Sequence, residues 1–426
     1  ITIRPGQSLS RLIAFGVRFH FQNYSFPRRL SMRRAVPSFL LFSALFAAVL
    51  PVLAQEKPAT KPRARDLGVP FDGAPGPFNA ITDVPGVLVG HTTLISGDGK
   101  LVVGKGPVRT GVTAILPRGK DTMMNPVFAG WFAQNGNGEM TGTTWIEESG
   151  FLEGPVMITN THSVGVVRDA VIQWRVAHGQ PDASGYWWSL PVVAETWDGW
   201  LNDTNGFHVK PEHAFHAIDS AQSGHVDEGN VGGGTGMICS GYKGGIGTSS
   251  RKLSEKDGGY TVGVLVQCNF GSRQNLRIAG IPVGREIPSE DPYAYQPSEI
   301  SERGSIIIVV ATDAPLISTQ LKRLARRATL GLGRLGSISG DGSGDIFIAF
   351  STANSGVWSS KNVADVKMFP NDSLDPVFAA VVQATEEAIV NSMIAADSMT
   401  GIDGHHVAAL DHEKLRAVLK KYNRLN

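Results

Sequence analysis

Apolar residues recur along this chain in short blocks with two spacings. Alternating or continuous apolar runs, bounded by glycine, proline and asparagine, predict strands over 81–90, 108–116, 156–160, 192–196, 260–267, 306–311 and 346–350. Helical spacing predicts helices over 167–176, 211–221, 318–332, 376–395 and 411–422. Pro211 suits the first position of its helix. In the 318–332 helix, Leu321, Leu324, Ala325, Ala328 and Leu332 share one face. Lys322, Arg323, Arg326 and Arg327 occupy the other, which reads as a solvated surface. Strands and helices come in mixed blocks with no internal repeat, so the expected class is α+β rather than a regular βαβ array.

Composition narrows this picture. The 426 residues include 50 glycines without a Gly-X-Y period, so the chain is loop-rich but not fibrous. Lys plus Arg number 39 and Asp plus Glu 38, which gives no reason to expect a nucleic-acid partner. Two cysteines, Cys239 and Cys268, exclude a disulfide scaffold and a four-cysteine zinc site. Both fall in strands, and sequence leaves open whether they pair.

The charge is unevenly placed. Residues 1–54 hold seven arginines and no acidic residue, so the rest carries 32 basic against 38 acidic side chains. Met32-Arg33-Arg34, the apolar run 39–50 and Val52-Leu53-Ala54 form the three parts of a secretory signal. An uncleaved anchor is the alternative, but Pro37 and Pro51 interrupt the span. The expected organisation is therefore upstream translation over 1–31, a signal peptide over 32–54, and a disordered lead over 55–66 rich in Lys, Arg and Pro. One domain follows over 67–426. The mature protein is expected outside the cytoplasm, periplasmic or secreted, with no membrane contact after signal cleavage.

Most standard catalytic motifs are missing. There is no Gly-x-Ser-x-Gly elbow, no phosphate loop (Gly99-Lys100 is followed by Leu101) and no His-Glu-x-x-His. The run 232–236 does not satisfy Gly-x-Gly-x-x-Gly. A hydroxyl cluster remains, Gly247-Thr248-Ser249-Ser250-Arg251. It reads either as a polar turn feeding the next strand or as a nucleophile without histidine. A serine at a chain N-terminus can use its own α-amine as base, but an internal serine gains that amine only if the preceding bond is cut.

The segments ITDVPGVLVGH (81–91), GNGEMTG (136–142), LNDTNGFHV (201–209), GNVGGGTGM (229–237), GGIGTSSR (244–251) and YTVGVLVQCNFG (260–271) occur in fixed order. With them the chain resembles the self-processing aminopeptidases of the L-aminopeptidase/D-esterase and β-peptidyl aminopeptidase type. The resemblance implies a four-layer αββα sandwich like the N-terminal-nucleophile hydrolases. It implies a precursor that cuts itself before a serine, placed here at Thr248–Ser249, giving chains 55–248 and 249–426. Ser249 is then the nucleophile, with Ser250 as the alternative. Asn205 matches an asparagine near the reacting carbonyl, and Glu139 an acid that holds the substrate amine. A downstream Ser-x-Glu pair corresponds to Ser289 with Glu290 or Asp291.

The resemblance also implies an acyl-enzyme hydrolase of short peptides, amides or esters with a free amine. It implies no metal or organic cofactor, and a tetramer of processed heterodimers. A non-catalytic binding protein of the same fold and an acyltransferase are the alternatives.

Overall fold

The apolar runs fold into two sheets whose inner faces meet. A computed structural model describes residues 61–425 apart from 182–184, 186–187, 288–291, 293–301 and 360. In chain order the elements are β1 (Leu88–Ser96), β2 (Val108–Lys120), β3 (Val127–Ala133), α1 (Thr143–Ser149), β4 (Phe151–Leu152), β5 (Val156–Asn160), α2 (Val164–His178), β6 (Val192–Thr196) and α3 (Pro211–Asp219). Then come β7 (Ile238–Cys239), β8 (Tyr242–Lys243), β9 (Gly245–Lys252), β10 (Thr261–Phe270), α4 (Val283–Glu286), β11 (Arg303–Thr312), α5 (Ser318–Arg334), β12 (Gly342–Ser351), α6 (Asp375–Ile394) and α7 (His412–Lys421).

One sheet runs β1-β2-β5-β6 and the other β4-β3-β12-β11-β10-β9. The period of two in the strands decides the layering. Ile307, Val309, Ala311, Ile346, Ile348 and Leu265 meet Ile115, Ile158 and Ala194 of the facing sheet. The alternate residues Ile306, Ile308, Val310 and Phe347 pack under Leu321, Leu324, Val381 and Ala388 of α5 and α6. On the far side, α2 and α3 cover Val112 and Ala114 with Val167, Val171, Ala214 and Ile218. The result is the αββα sandwich, an α+β fold.

Most expected elements stand within a few residues of their places. The basic face of α5 is less bare than its pattern suggests. Lys322 pairs with Glu147, and Arg326 and Arg327 lie over the rings of Phe132 and Phe378. The strand expected from residue 81 begins only at Leu88, because 81–83 form a single 3-10 turn capped by the Asp83 carboxylate. β3 and α1 lie outside the expected elements, and β9 occupies what reads as a polar turn.

The disordered lead needs correction. Residues 61–66 are ordered and cover the exposed edge of β9. Ala64 is fully buried, Arg63 pairs with Glu228 at 2.7 Å, and Arg65 pairs with Glu387 at 2.8 Å. An edge strand with free N–H and C=O groups needs such a cover. Residues 1–54, with the expected signal, lie outside the described residues.

Candidate active site

The hydroxyl cluster is built into β9 and is fully enclosed. Gly247, Ser249 and Arg251 face α6. A Cβ on Gly247 would lie 2.0 Å from the Ala388 carbonyl oxygen, so only glycine allows the helix this close. The Ser249 hydroxyl donates to the Ala384 carbonyl at 2.6 Å and the residue has no exposed surface. Thr248 donates from its N–H to Glu228 and from its hydroxyl to Val264. Its carbonyl accepts from Arg63 and Asn391. The Ser250 hydroxyl donates to Asp83 at 2.6 Å and accepts from the Gly76 N–H, which ties 76–83 to the strand edge.

The polar groups named around the Thr248–Ser249 bond thus have protein partners. Ser249, the expected nucleophile, the Thr248–Ser249 bond expected to be cut, and the alternative Ser250 are held as enclosed, hydrogen-bonded groups away from any surface. Buried hydroxyls hydrogen-bonded to backbone carbonyls are satisfied core groups.

A cavity of about 900 Å³ lies elsewhere, at the ends of β10, β11 and β12. Its lining includes Glu139, Glu195, Trp197, Trp200, Asn269, Gly304 and Ser305. Glu139 is where the sequence placed a substrate-binding acid. Asn205 is not: it is exposed on a short turn after Asn202 and Asp203 and does not line the cavity. Ser289, Glu290 and Asp291 lie outside the described residues.

Ser305 opens β11, a strand in the middle of the larger sheet. It stands opposite Asn269 on β10 and opposite Gly344 on β12. Gly304 before it has φ +100°, in the region that favours glycine, and a Cβ there would sit 1.8 Å from the Asn269 carbonyl oxygen. The Asn269 carboxamide is locked. Its Oδ1 accepts from the Ile238 N–H at 2.8 Å, and one N–H donates to the Trp197 carbonyl at 3.0 Å.

One buried carboxylate, Glu195, lines the same cavity, and another, Asp345, lies on the strand beside Ser305. The Glu195 side chain is almost fully buried and accepts from the Glu139 N–H and the Thr161 hydroxyl. Burial raises its pKa, against those hydrogen bonds, and the nearby Glu139 adds to the rise. On β12, the Ser343 hydroxyl donates to Asp345 at 2.9 Å. Ser343 and Asp345 pair in register with Gly304 and Ile306, so a Ser-x-acid pair flanks Ser305 in the next strand. Burial pushes the Asp345 carboxyl up to about 6, with Ser343 and Ser339 pulling it back and Glu302 raising it further.

Sequence reasoning missed Ser305, Asn269, Glu195 and the 343–345 pair. A signal was present: Gly304-Ser305 directly precedes the longest β-branched run, and Ser343-Gly344-Asp345 has the Ser-x-acid spacing. Among the described residues, no group of three or more His, Cys, Asp or Glu is placed to hold a metal.

Comparison with known proteins agrees on the fold. The model of Peptidase family S58 matches residues 79–407. The chain is 57% identical over 397 residues to β-peptidyl aminopeptidase BapA of Sphingosinicella microcystinivorans, covering 91% of this chain and 98% of that one. It is 47% identical over 388 residues to BapA of Sphingosinicella xenopeptidilytica, covering 88% and 95%. The solved L-aminopeptidase D-Ala-esterase/amidase of Ochrobactrum anthropi, described as a prototype of the serine aminopeptidases and a variant of the Ntn hydrolase fold, superimposes with TM-score 0.80. It is 51% identical, and 86% of this chain and all of that one are covered. A Burkholderia β-aminopeptidase gives TM-score 0.76 at 47% identity, covering 84% and 99%.

Proposed function

The chain belongs to peptidase family S58, the serine-type aminopeptidases, and we propose that it is an exported enzyme that activates itself by cutting at Gly304–Ser305. The observation that carries this reading is the place of Ser305. It is the cavity-lining serine at the start of a central strand, preceded by a glycine, with an asparagine side chain opposite. In the cut, the Ser305 hydroxyl oxygen attacks the Gly304 carbonyl carbon. The acyl group passes from nitrogen to oxygen, and water then hydrolyses the ester. Gly304 leaves as a carboxylate, and Ser305 gains a free amine.

That amine, with a pKa of about 8, can take the proton of its own hydroxyl. Ser305 then attacks the substrate carbonyl and forms an acyl-enzyme. Asn269 has one N–H left after its bond to Trp197, and this donor stabilises the tetrahedral oxyanion. In the cut, before that amine exists, Asp345, acting through Ser343 on the neighbouring strand, takes the Ser305 hydroxyl proton and passes it to the Ser305 nitrogen as the peptide bond breaks. Glu139 and Glu195 hold the substrate ammonium by charge-assisted hydrogen bonds. The substrates are then short peptides, amides or esters with a free amine, of α- or β-amino acids. Trp197 and Trp200 supply the apolar wall against the first side chain.

The buried Cys239–Cys268 disulfide supports an oxidising compartment. The exposed tip Leu101-Val102-Val103 offers an apolar surface for self-association into a tetramer, which light scattering of the processed protein tests. The catalytic reading is tested by replacement. Ser305→Ala should abolish hydrolysis of an amino-acid p-nitroanilide, whereas Ser249→Ala should retain it. Loss with Ser249→Ala but not with Ser305→Ala would reverse the assignment.

A further inference from the structure

Behind the cavity wall, Cys239 on β7 and Cys268 on β10 are joined in a disulfide with Cα atoms 5.6 Å apart, and neither is exposed. Each is the chain neighbour of a residue that lines the cavity. Ile238 precedes Cys239, and Asn269 follows Cys268. The Ile238 N–H holds the Asn269 Oδ1 at 2.8 Å. Together with the Asn269 N–H on the Trp197 carbonyl, that bond decides which end of the carboxamide is acceptor and which is donor.

We infer that the Cys239–Cys268 disulfide is a positioning element for the oxyanion donor, fixing the Asn269 amide so that its free N–H faces the reacting carbonyl. The inference rests on the reading of Ser305 and Asn269 given above.

The hairpin that carries Ile238 is very short. β7 and β8 contribute two residues each, paired Ile238 with Lys243 and Cys239 with Tyr242. Ser240 and Gly241 turn between them with φ +49° and +72°. Two such strands do not hold themselves together in isolation. The hairpin is anchored by the Ser240 N–H on the Phe270 carbonyl, the Lys243 N–H on the Ala408 carbonyl, the Lys243 ammonium on the Met237 and Gly244 carbonyls, and the Arg273 guanidinium on the Ser240 and Gly241 carbonyls. Of these, only the Ser240 bond reaches β10, and it sits one residue beyond Asn269. The disulfide is the covalent tie on the near side.

Without the disulfide, Ile238 can move along the Asn269 side chain. The carboxamide then keeps only its bond to the Trp197 carbonyl and can tilt about its last torsion. The tilt turns the second N–H away from the oxyanion in part of the population. Glu195 is held by the Glu139 N–H and the Thr161 hydroxyl, so substrate binding at these two acids does not pass through this contact.

The test compares C239A/C268A, Asn269→Ala and the triple variant with wild type. The readouts are kcat per processed chain, KM and melting temperature, with processed chains counted by intact mass. Asn269→Ala should lower kcat by about 100-fold or more. C239A/C268A should lower kcat by about 10- to 100-fold, as expected for a misplaced group, with KM within about twofold. The triple variant should be no slower than Asn269→Ala alone, because both changes act on one donor.

A lowered melting temperature with unchanged kcat per processed chain would overturn the inference, as would losses that multiply in full. If Asn269→Ala itself leaves kcat intact, the oxyanion reading fails and the disulfide role fails with it. Should the alanine pair not fold, folded wild type treated with dithiothreitol serves instead. The reagent closes to its own cyclic disulfide and leaves two cysteine thiols, counted by mass. The same fall in kcat at constant KM is expected, and full activity with both thiols free would overturn the proposal.

Discussion

Ser305 and Asn269 stand opposite each other in the antiparallel register of β10 and β11, at the end of those strands that opens into the cavity. The pairing puts a hydroxyl and an amide donor on the same face, because opposite residues in an antiparallel pair point the same way. In the proposed mechanism, a carbonyl held between them meets a nucleophile from one strand and an oxyanion donor from the next. Neither side chain needs a loop to place it, which is the precision that rigid elements give a site.

The two acids of the cavity make different predictions. Glu195 is nearly buried, whereas Glu139 is exposed. A buried charge-assisted bond is worth about 1.5–3 kcal/mol, so Glu195→Gln should lower kcat/KM on free-amine substrates by about tenfold to a hundredfold or more. Glu139→Gln should lower it less. Both variants should still cut themselves, since that reaction has no free substrate amine. Hydrolysis of N-acetylated substrates, already poor, should fall little further. Equal loss on free and acetylated substrates would show that these acids serve the fold instead.

Asp345 ties the cut to pH. Burial holds its carboxyl up to about 6, above the ordinary aspartate value of about 4. A raised folded-state pKa means that the fold favours the protonated form. Its stabilising contribution is therefore full below pH about 4 and is lost as pH rises through about 6. The proton-accepting form appears over the same window. Self-cutting of purified precursor should accelerate from pH 5 to 7 with a midpoint near 6. Asp345→Asn should cut slowly with no step there. A step unchanged in Asp345→Asn would assign it to another group.

The lead segment predicts a stability effect away from the cavity. Arg63 joins Glu228, whose carboxylate also holds the Thr248 N–H. Burial raises the Glu228 pKa, and Arg63 opposes that rise. Removing one partner of a buried pair leaves the other charge uncompensated, so Arg63→Ala should cost about 3 kcal/mol in denaturant unfolding. kcat per processed chain should be unchanged. A cost below about 0.5 kcal/mol would make the pair an ordinary surface contact.

The sandwich was legible because its elements carry strong periods. The alternation around Ile307, Val309 and Ala311 and the apolar face of α5 each have one physical solution. The site was legible only in part. Glu139, which the resemblance singled out, lies in a glycine-rich loop and lines the cavity. Around Ser249 a run of hydroxyls looks like chemistry or a turn, whereas on β9 each hydroxyl is consumed by a backbone or carboxylate partner. Ser305 was hidden by the opposite effect. It is a single hydroxyl at the mouth of an apolar run, and only the strand order puts it beside Asn269. Glu195 sits inside a short buried strand, where nothing in sequence tells a core acid from one that meets a cavity.

The central claim is the position of the self-made cut, and the N-terminal sequence and intact mass of the purified protein's C-terminal chain test it most directly. The account predicts a chain of 122 residues, 305–426, that begins Ser-Ile-Ile-Ile. A chain of 178 residues, 249–426, beginning Ser-Ser-Arg-Lys, or a single uncut chain, would contradict it.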